Sequence, residues 1–262
     1  MVIGALRRSI RALLASVLDA RRARATIRDR RTEDERRAAL FEAENLAEIE
    51  RSGDSIGAPG WLIRTERTYA PTRDRYRAAN SRLSPRRRLV NSGGDKMSFD
   101  RNGYAPAYSR LLARWVGSPV VLVELGAFRG SGLALWSDLF PDGTVVGLDV
   151  ELDHFERNLP QLLGRGAFRS GVPDVLRFDA FAPDVAGLTE TLGGRLIDVF
   201  IDDGPHKEEP SCRTAAQVRP LLAPRFTYVI EDCDEIYGCL AETFAGCVIR
   251  QEAPGLVVIT EA

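Results

Sequence analysis

The stretch Leu196-Ile197-Asp198-Val199-Phe200-Ile201-Asp202-Asp203-Gly204-Pro205-His206 decides how the rest of the chain is read. Five apolar residues flank a single Asp198, and the run stops abruptly at Asp-Asp-Gly-Pro-His. An apolar segment this short, closed by Gly-Pro, fits a strand buried on both faces, as in a parallel sheet. Its carboxyl end carries two adjacent carboxylates and one of the chain's two histidines. In open α/β sheets, ligands bind outside the carboxyl ends of the strands. A second carboxylate pair, Glu231-Asp232, closes a second apolar run at 226–230, so four carboxylates and an imidazole are expected on one rim.

Outward from this strand the pattern is α/β alternation. Apolar runs at 120–125, 144–150, 175–179, 196–202 and 226–231 alternate with helical stretches near 131–139, 153–163, 184–193 and 207–222. A helix near 234–244 precedes two last runs, 247–250 and 256–260, and another helix is expected near 105–115. Five strands alternating with helices, then a strand pair, predict a doubly wound, Rossmann-like α/β sheet.

Before residue 93 the composition differs. Leu6, Ile10, Leu13, Val17 and Leu18 recur at helical spacing among arginines. Packing on the chain's own domain or on another subunit is preferred for this helix over membrane association or a transit role. Thr32-Glu33-Asp34-Glu35 has capping-box spacing and opens a second helix with the stripe Ala39, Leu40, Ala43, Leu46 and Ile49. From Gly57 to Gly94, Trp61, Tyr69 and Tyr76 are interleaved with Arg64, Arg67, Arg73, Arg75 and Arg77 between prolines and glycines. That segment reads equally as a lid over a small-molecule site or as a solvated linker. The expected division is 1–92, a helical appendage with lid or linker, and 93–262, a catalytic domain.

Composition narrows the classes. The 262 residues suffice for one sizeable core plus an appendage. A formal net charge of −1 gives no electrostatic case for a nucleic-acid partner. No apolar run reaches the roughly 20 residues of a membrane span. Cys212, Cys233, Cys239 and Cys247 lack zinc-like spacing and read as unpaired thiols of a cytoplasmic protein. The basic residues are almost all arginine, with Lys96 and Lys207 the only lysines.

The first strand leads into Glu124-Leu125-Gly126-Ala127-Phe128-Arg129-Gly130-Ser131-Gly132. Glycines at a strand-to-helix turn let backbone approach a ligand and aim helix N–H groups at it. Their spacing, G-x-x-x-G-x-G, departs from the dinucleotide fingerprint G-x-G-x-x-G. Glu124 would repel a pyrophosphate and suits a cationic amine or sulfonium, which disfavours an NAD-dependent oxidoreductase. Asp149 ends the second strand about 20 residues on, where an acid takes ribose hydroxyls. Asp179, ending the third, can reach an adenine edge.

Together these residues resemble the class I S-adenosylmethionine-dependent methyltransferases over about Gly93 to Ala262. More narrowly they resemble the metal-dependent sugar O-methyltransferases of antibiotic biosynthesis, through Gly94-Asp95-Lys96, Tyr104, Tyr108, Trp136, Asp202-Asp203-Gly204-Pro205-His206 and Ile230-Glu231-Asp232. The resemblance implies seven strands in the order 3-2-1-4-5-7-6, with an N-terminal helical appendage. It implies Mg2+ on Asp203, Glu231 and Asp232, and His206 as general base. It also implies S-adenosylmethionine among Lys96, Tyr104, Glu124, Gly126, Phe128, Gly130, Ser131, Asp149, Asp179 and Asp202. Lys96 and Tyr104 would hold the methionine carboxylate, or Lys96 is a salt-bridged surface lysine; Asp202 either faces cofactor or fixes backbone. Pro205, where Ser is usual, and Asn102, where His often stands, depart from the pattern. His154 is expected on the surface, and Asp198 in a structural role.

The chemistry fits those residue types. Methyl transfer from a sulfonium is an in-line displacement, and a sugar hydroxyl is a poor nucleophile at neutral pH. Oxygen ligands suit Mg2+, which can orient two neighbouring hydroxyls and acidify one. An imidazole with an ordinary pKa near roughly 6.5 can take the proton. Three clustered carboxylates without a cation would repel one another, so a metal accounts for their clustering. The expected enzyme is an O-methyltransferase (EC 2.1.1) with a glycosylated small-molecule acceptor, assembled as a homo-oligomer through its N-terminal helices. A catechol-like acceptor and a non-catalytic binding module are the alternatives.

Overall fold

The computed structural model describes residues 40, 43–44, 46–53, 55–70, 94, 96–99, 102–233 and 236–262, and the backbone of 76–77 and 89–90. The helix expected at 2–30, the capping box at Thr32–Glu35, Arg73, Arg75 and the side chains of Tyr76 and Arg77 lie outside the described residues.

Seven strands form one sheet: β1 (Val121–Leu125), β2 (Thr144–Asp149), β3 (Asp174–Arg177), β4 (Ile197–Asp202), β5 (Leu222–Glu231), β6 (Val248–Ala253) and β7 (Leu256–Thr260). Their order is β3-β2-β1-β4-β5-β7-β6, the order implied by the resemblance. The first five run parallel, and β7 pairs antiparallel with both β5 and β6. Helices α1 (Pro59–Tyr69), α2 (Ala105–Leu112), α3 (Ser131–Leu139) and α4 (Asp153–Gly164) cover one face. Helices α5 (Ala186–Leu192), α6 (Glu208–Val218) and α7 (Tyr237–Thr243) cover the other. The central strands therefore carry apolar side chains on both faces, which is why β1 and β4 read as unbroken apolar runs.

The helix expected over 207–222 stops at Val218. Pro220 cannot continue an α-helix, and a 3-10 turn at Arg219–Leu221 leads directly into β5. A larger correction concerns the expected lid or linker. Pro59–Tyr69 is a helix that opens on proline and buries Leu62 and Ile63 completely in the core shared with α2 and α3. It is part of the domain. The Tyr69 hydroxyl donates to Asp138 on α3, which fixes the far end of the helix.

The expectation of four unpaired thiols also fails. Cys212 on α6 and Cys239 on α7 form a disulfide across a Cα–Cα distance of 5.9 Å, of which Cys233 and Cys247 are not part. The two helices follow β4 and β5 and lie side by side, an adjacency that cysteine spacing along the chain does not reveal. Among the described residues, no helix is long and apolar enough to cross a membrane.

Candidate active site

Register places the acidic rim. Leu125 pairs with Leu148 and with Asp202, and Asp202 with Ile230, so Gly126, Asp149, Asp203 and Glu231 fall side by side at the carboxyl edge. Pleating then sorts the side chains. Glu124 and Glu231 face the layer of α2 and α3, where they meet the Trp136 indole N–H at 3.0 Å and the Tyr108 hydroxyl at 2.5 Å, respectively. Asp202 faces the opposite layer and accepts the Gly204 N–H at 3.2 Å.

At the centre sits Lys96. Its ammonium lies 2.7 Å from Asp203 Oδ2 and 3.0 Å from both Glu124 Oε1 and Glu231 Oε1. Burial alone would pull the lysine down, but the three carboxylates outweigh it and hold it well above its ordinary value. Burial likewise pushes the Asp203 carboxyl up to about 6 and Glu231 well above the usual range, with Lys96 opposing both. The lysine is held from behind by Glu66 on α1. That buried carboxylate accepts the backbone N–H groups of Lys96 and Met97 at 3.0 Å and of Ser98 at 3.3 Å. Glu66 was not singled out from the sequence, because nothing in its helical spacing marks it off from a surface glutamate.

Lys96 revises one step of the sequence argument. The clustering of carboxylates does not by itself require a metal, since the fold supplies a cation of its own. One ammonium against Glu124, Asp203, Glu231 and Asp232 still leaves three formal negative charges. The second oxygens of Glu124 and Glu231 are buried without a hydrogen-bond partner among the described residues.

Asp232 and His206 complete the group. Asp232 Oδ1 accepts the Tyr104 hydroxyl at 2.8 Å and the Asn102 side-chain amide at 3.1 Å. Tyr104 therefore positions an acid. Asn102, standing where histidine is common, does the same. His206 projects Nδ1 to 3.4 Å from the Glu231 carbonyl oxygen and Nε2 to 3.9 Å from Asp203 Oδ1. Ligand atoms of Asp203, His206 and Asp232 all lie within 4.8 Å of one another, a donor set suited to a divalent cation. Glu231, expected in that set, instead directs one oxygen to Lys96 and Tyr108.

These residues open onto a cleft of about 590 Å3 that also contains Gly126, Phe128, Asp149, Val150, Asp179 and Phe181. Both Asp149 oxygens accept backbone N–H groups, from Phe128 at 2.7 Å and Glu151 at 2.9 Å, and Asp179 accepts that of Phe181 at 2.9 Å. Beneath the turn, a cavity of about 60 Å3 is lined by Lys96, Glu124, Ser131 and Trp136 among others. Of the residues expected around a cofactor, Tyr104, Gly130 and Asp202 line neither space. Gly130 backs onto the Phe155 ring. Asp202 is sealed beneath α6, where burial pushes its carboxyl up to about 6, and it accepts the backbone N–H of the following turn. His154 is packed against the Phe128 ring at 5.1 Å, not free on the surface, and Asp198 accepts the Val121 N–H at 2.8 Å in the structural role expected of it.

Gly126 has a second reason to be glycine. With φ at +91°, an added Cβ would stand 2.0 Å from the Asp203 carbonyl oxygen, so the ends of β1 and β4 meet at this residue. At Gly132 a Cβ would meet the Glu124 carboxylate at 2.4 Å. Backbone strain also gathers here. Among the described residues, four non-glycines have positive φ, and three of them, Phe128 (43°), His206 (50°) and Asp232 (55°), line the cleft. Strained conformations of this kind persist where the surroundings over-determine them, and they cluster at functional sites.

Over 155 residues the chain is 26% identical to 8-demethyl-8-alpha-L-rhamnosyl tetracenomycin-C 2'-O-methyltransferase of Streptomyces olivaceus. The sequence resembles a sugar O-methyltransferase. The match takes in 56% of this chain and 37% of that enzyme, so the chain spans little more than a third of the relative's length. Among solved structures, MycE methyltransferase from the mycinamycin biosynthetic pathway, in complex with Mg, SAH and mycinamycin VI, aligns with a TM-score of 0.48 at 18% identity. That alignment covers 63% of this chain and 51% of the other. SAM-bound CalS10, an amino pentose methyltransferase from Micromonospora echinaspora, aligns with a TM-score of 0.40 at 14% identity, covering 62% of this chain and 91% of that one. No protein-family model matches the chain.

Proposed function

We propose that the protein transfers the methyl group of S-adenosylmethionine to a hydroxyl of a sugar carried on a natural product. One observation carries the reading: Asp149 and Asp179 at the ends of β2 and β3 open into the same cleft as Asp203, His206 and Asp232 beyond β4 and β5. Asp149 would accept the ribose hydroxyls and Asp179 an adenine edge, with exposed Val150 and Phe181 flanking the base. The methionine end enters the small cavity, where Glu124 Oε2 is available to its amine. A divalent cation such as Mg2+ on Asp203 and Asp232, with His206 or Glu231 beside it, would supply Lewis acidity to the acceptor hydroxyls.

His206 is assigned the proton. An Nδ1–H directed at the Glu231 carbonyl leaves Nε2 unprotonated toward the cleft. As the acceptor oxygen attacks the methyl carbon, the C–S bond breaks and the hydroxyl proton passes to Nε2. The proximity of Asp203, His206 and Asp232 favours a second role, His206 as a cation ligand. Calorimetry with S-adenosylhomocysteine and with Mg2+, on wild type and His206→Ala, separates these. A base predicts kcat down by about 10²–10⁴ with Mg2+ affinity kept; a ligand predicts that Mg2+ affinity falls as well. Failure of S-adenosylhomocysteine to bind, with NAD binding in its place, rejects the methyltransferase reading.

A further inference from the structure

Lys96 is one of two lysines in an arginine-rich chain, and its ammonium is on the carboxylates that the proposed metal site would draw on. A compact ammonium with three donors matches three carboxylate oxygens arranged around it, and its flexible stem allows it to leave. Asp203 divides its oxygens between two positions, Oδ2 on the lysine at 2.7 Å and Oδ1 toward the cleft, 3.9 Å from His206 Nε2. Glu231 gives Oε1 to Lys96 and Tyr108 and leaves Oε2 buried without a partner among the described residues.

Resting on the metal-dependent reading above, we propose that Lys96 is a tethered counter-cation that competes with a divalent metal for Asp203 and Glu231. In the metal-free protein it offsets one charge of the cluster and holds Glu231 Oε1 on itself. When metal binds, the ammonium withdraws from Asp203 and Glu231 and retains Glu124. Glu66, which accepts the backbone N–H groups of 96–98, anchors the chain end of this switch.

The test is Mg2+ calorimetry on wild type, Lys96→Gln and Lys96→Arg, combined with 13C-lysine labelling of wild type. Removing a competing charge at about 3 Å predicts Mg2+ binding at least tenfold tighter in Lys96→Gln. Lys96→Arg stays near wild type. In the labelled protein only Lys96 and Lys207 give signals, and Mg2+ should shift the Lys96 side-chain resonances more than those of Lys207. If Lys96→Gln needs metal to fold, its melting temperature must rise more with Mg2+ than that of wild type. Equal or weaker Mg2+ binding by Lys96→Gln, or Lys96 resonances that stay put through saturation of wild type, overturns the competition and leaves the metal reading intact. Absence of Mg2+ binding by every variant overturns both.

Discussion

The two halves of the cleft are built in different ways. On the side of Asp149 and Asp179, the proposed nucleotide side, the carboxylates are satisfied by backbone within about 20 residues: Asp149 by Glu151 and by Phe128, 21 residues earlier, and Asp179 by Phe181. On the cation side, Asp203, Glu231 and Asp232 take their partners from Lys96, Asn102, Tyr104 and Tyr108, more than a hundred residues earlier in the chain. Two-residue turns and the neighbouring end of β1 position the first set. The second exists only once α1, α2 and residues 96–99 and 102–104 have packed on the sheet. The proposed cation subsite therefore depends on more distant packing than the proposed nucleotide subsite.

The contrast can be broken most forcefully at the one residue where the halves touch. Gly126→Ala drives a Cβ into the Asp203 carbonyl at a left-handed φ. It is expected to cost about 3–5 kcal/mol and roughly 10 °C in Tm, with both ligands weakened. A melting curve within about 2 °C of wild type would show that this contact does not hold the halves together.

A paired experiment sharpens the division. Tyr104→Phe removes a hydrogen bond to Asp232 and should weaken Mg2+ binding about tenfold while sparing S-adenosylhomocysteine. Asp149→Asn should do the reverse, by about tenfold, because it loses charge-assisted acceptance of ribose hydroxyls. If either variant affects both ligands alike in calorimetry, the halves are coupled.

The smallest effect is expected outside both halves, at Arg114, which holds Glu261 and the Phe226 carbonyl. Burial tends to raise the Glu261 carboxyl, but its hydrogen bonds from Arg114 and the backbone bring it below its ordinary value. A depressed carboxylate stabilises the fold above the unfolded pKa of roughly 4.3 and ceases to do so as pH falls through the folded value. Arg114→Met should therefore lower Tm by about 4 °C at pH 7, by a shrinking margin below about pH 4, and leave both ligands bound. A constant difference across that range would mean that lost packing, not the ion pair, is responsible.

The same local-versus-distant contrast explains what was legible in the sequence. The alternating elements, the glycine turn and the acids at the strand ends follow from short-range pattern, and the seven-stranded order is the one implied by the family resemblance. Asp203, His206, Glu231 and Asp232 were visible for the same reason: each lies just beyond an apolar run. Their partners were not. Lys96 reads as a holder of a cofactor carboxylate or as a salt-bridged surface lysine, because no spacing rule links it to Glu124 or Asp203. Glu66 was lost inside a segment whose prolines and arginines resemble a linker, although Leu62 and Ile63 one turn earlier carry it into the core. Strand alternation predicts Asp202 on the opposite side of the strand from Asp203, and it lies there, accepting the Gly204 N–H.

The left-handed backbone at Phe128, His206 and Asp232 has a practical consequence for anyone improving this protein by selection. Glycine at each position would relieve about 1 kcal/mol or more of strain. A library screened for heat resistance alone should be enriched in glycine at these three codons while the aromatic wall, the imidazole and the carboxylate disappear together. Robust survivors of such a screen would be empty scaffolds. Scoring ligand retention at every round is the safeguard, and a tally of glycines at 128, 206 and 232 gives early warning.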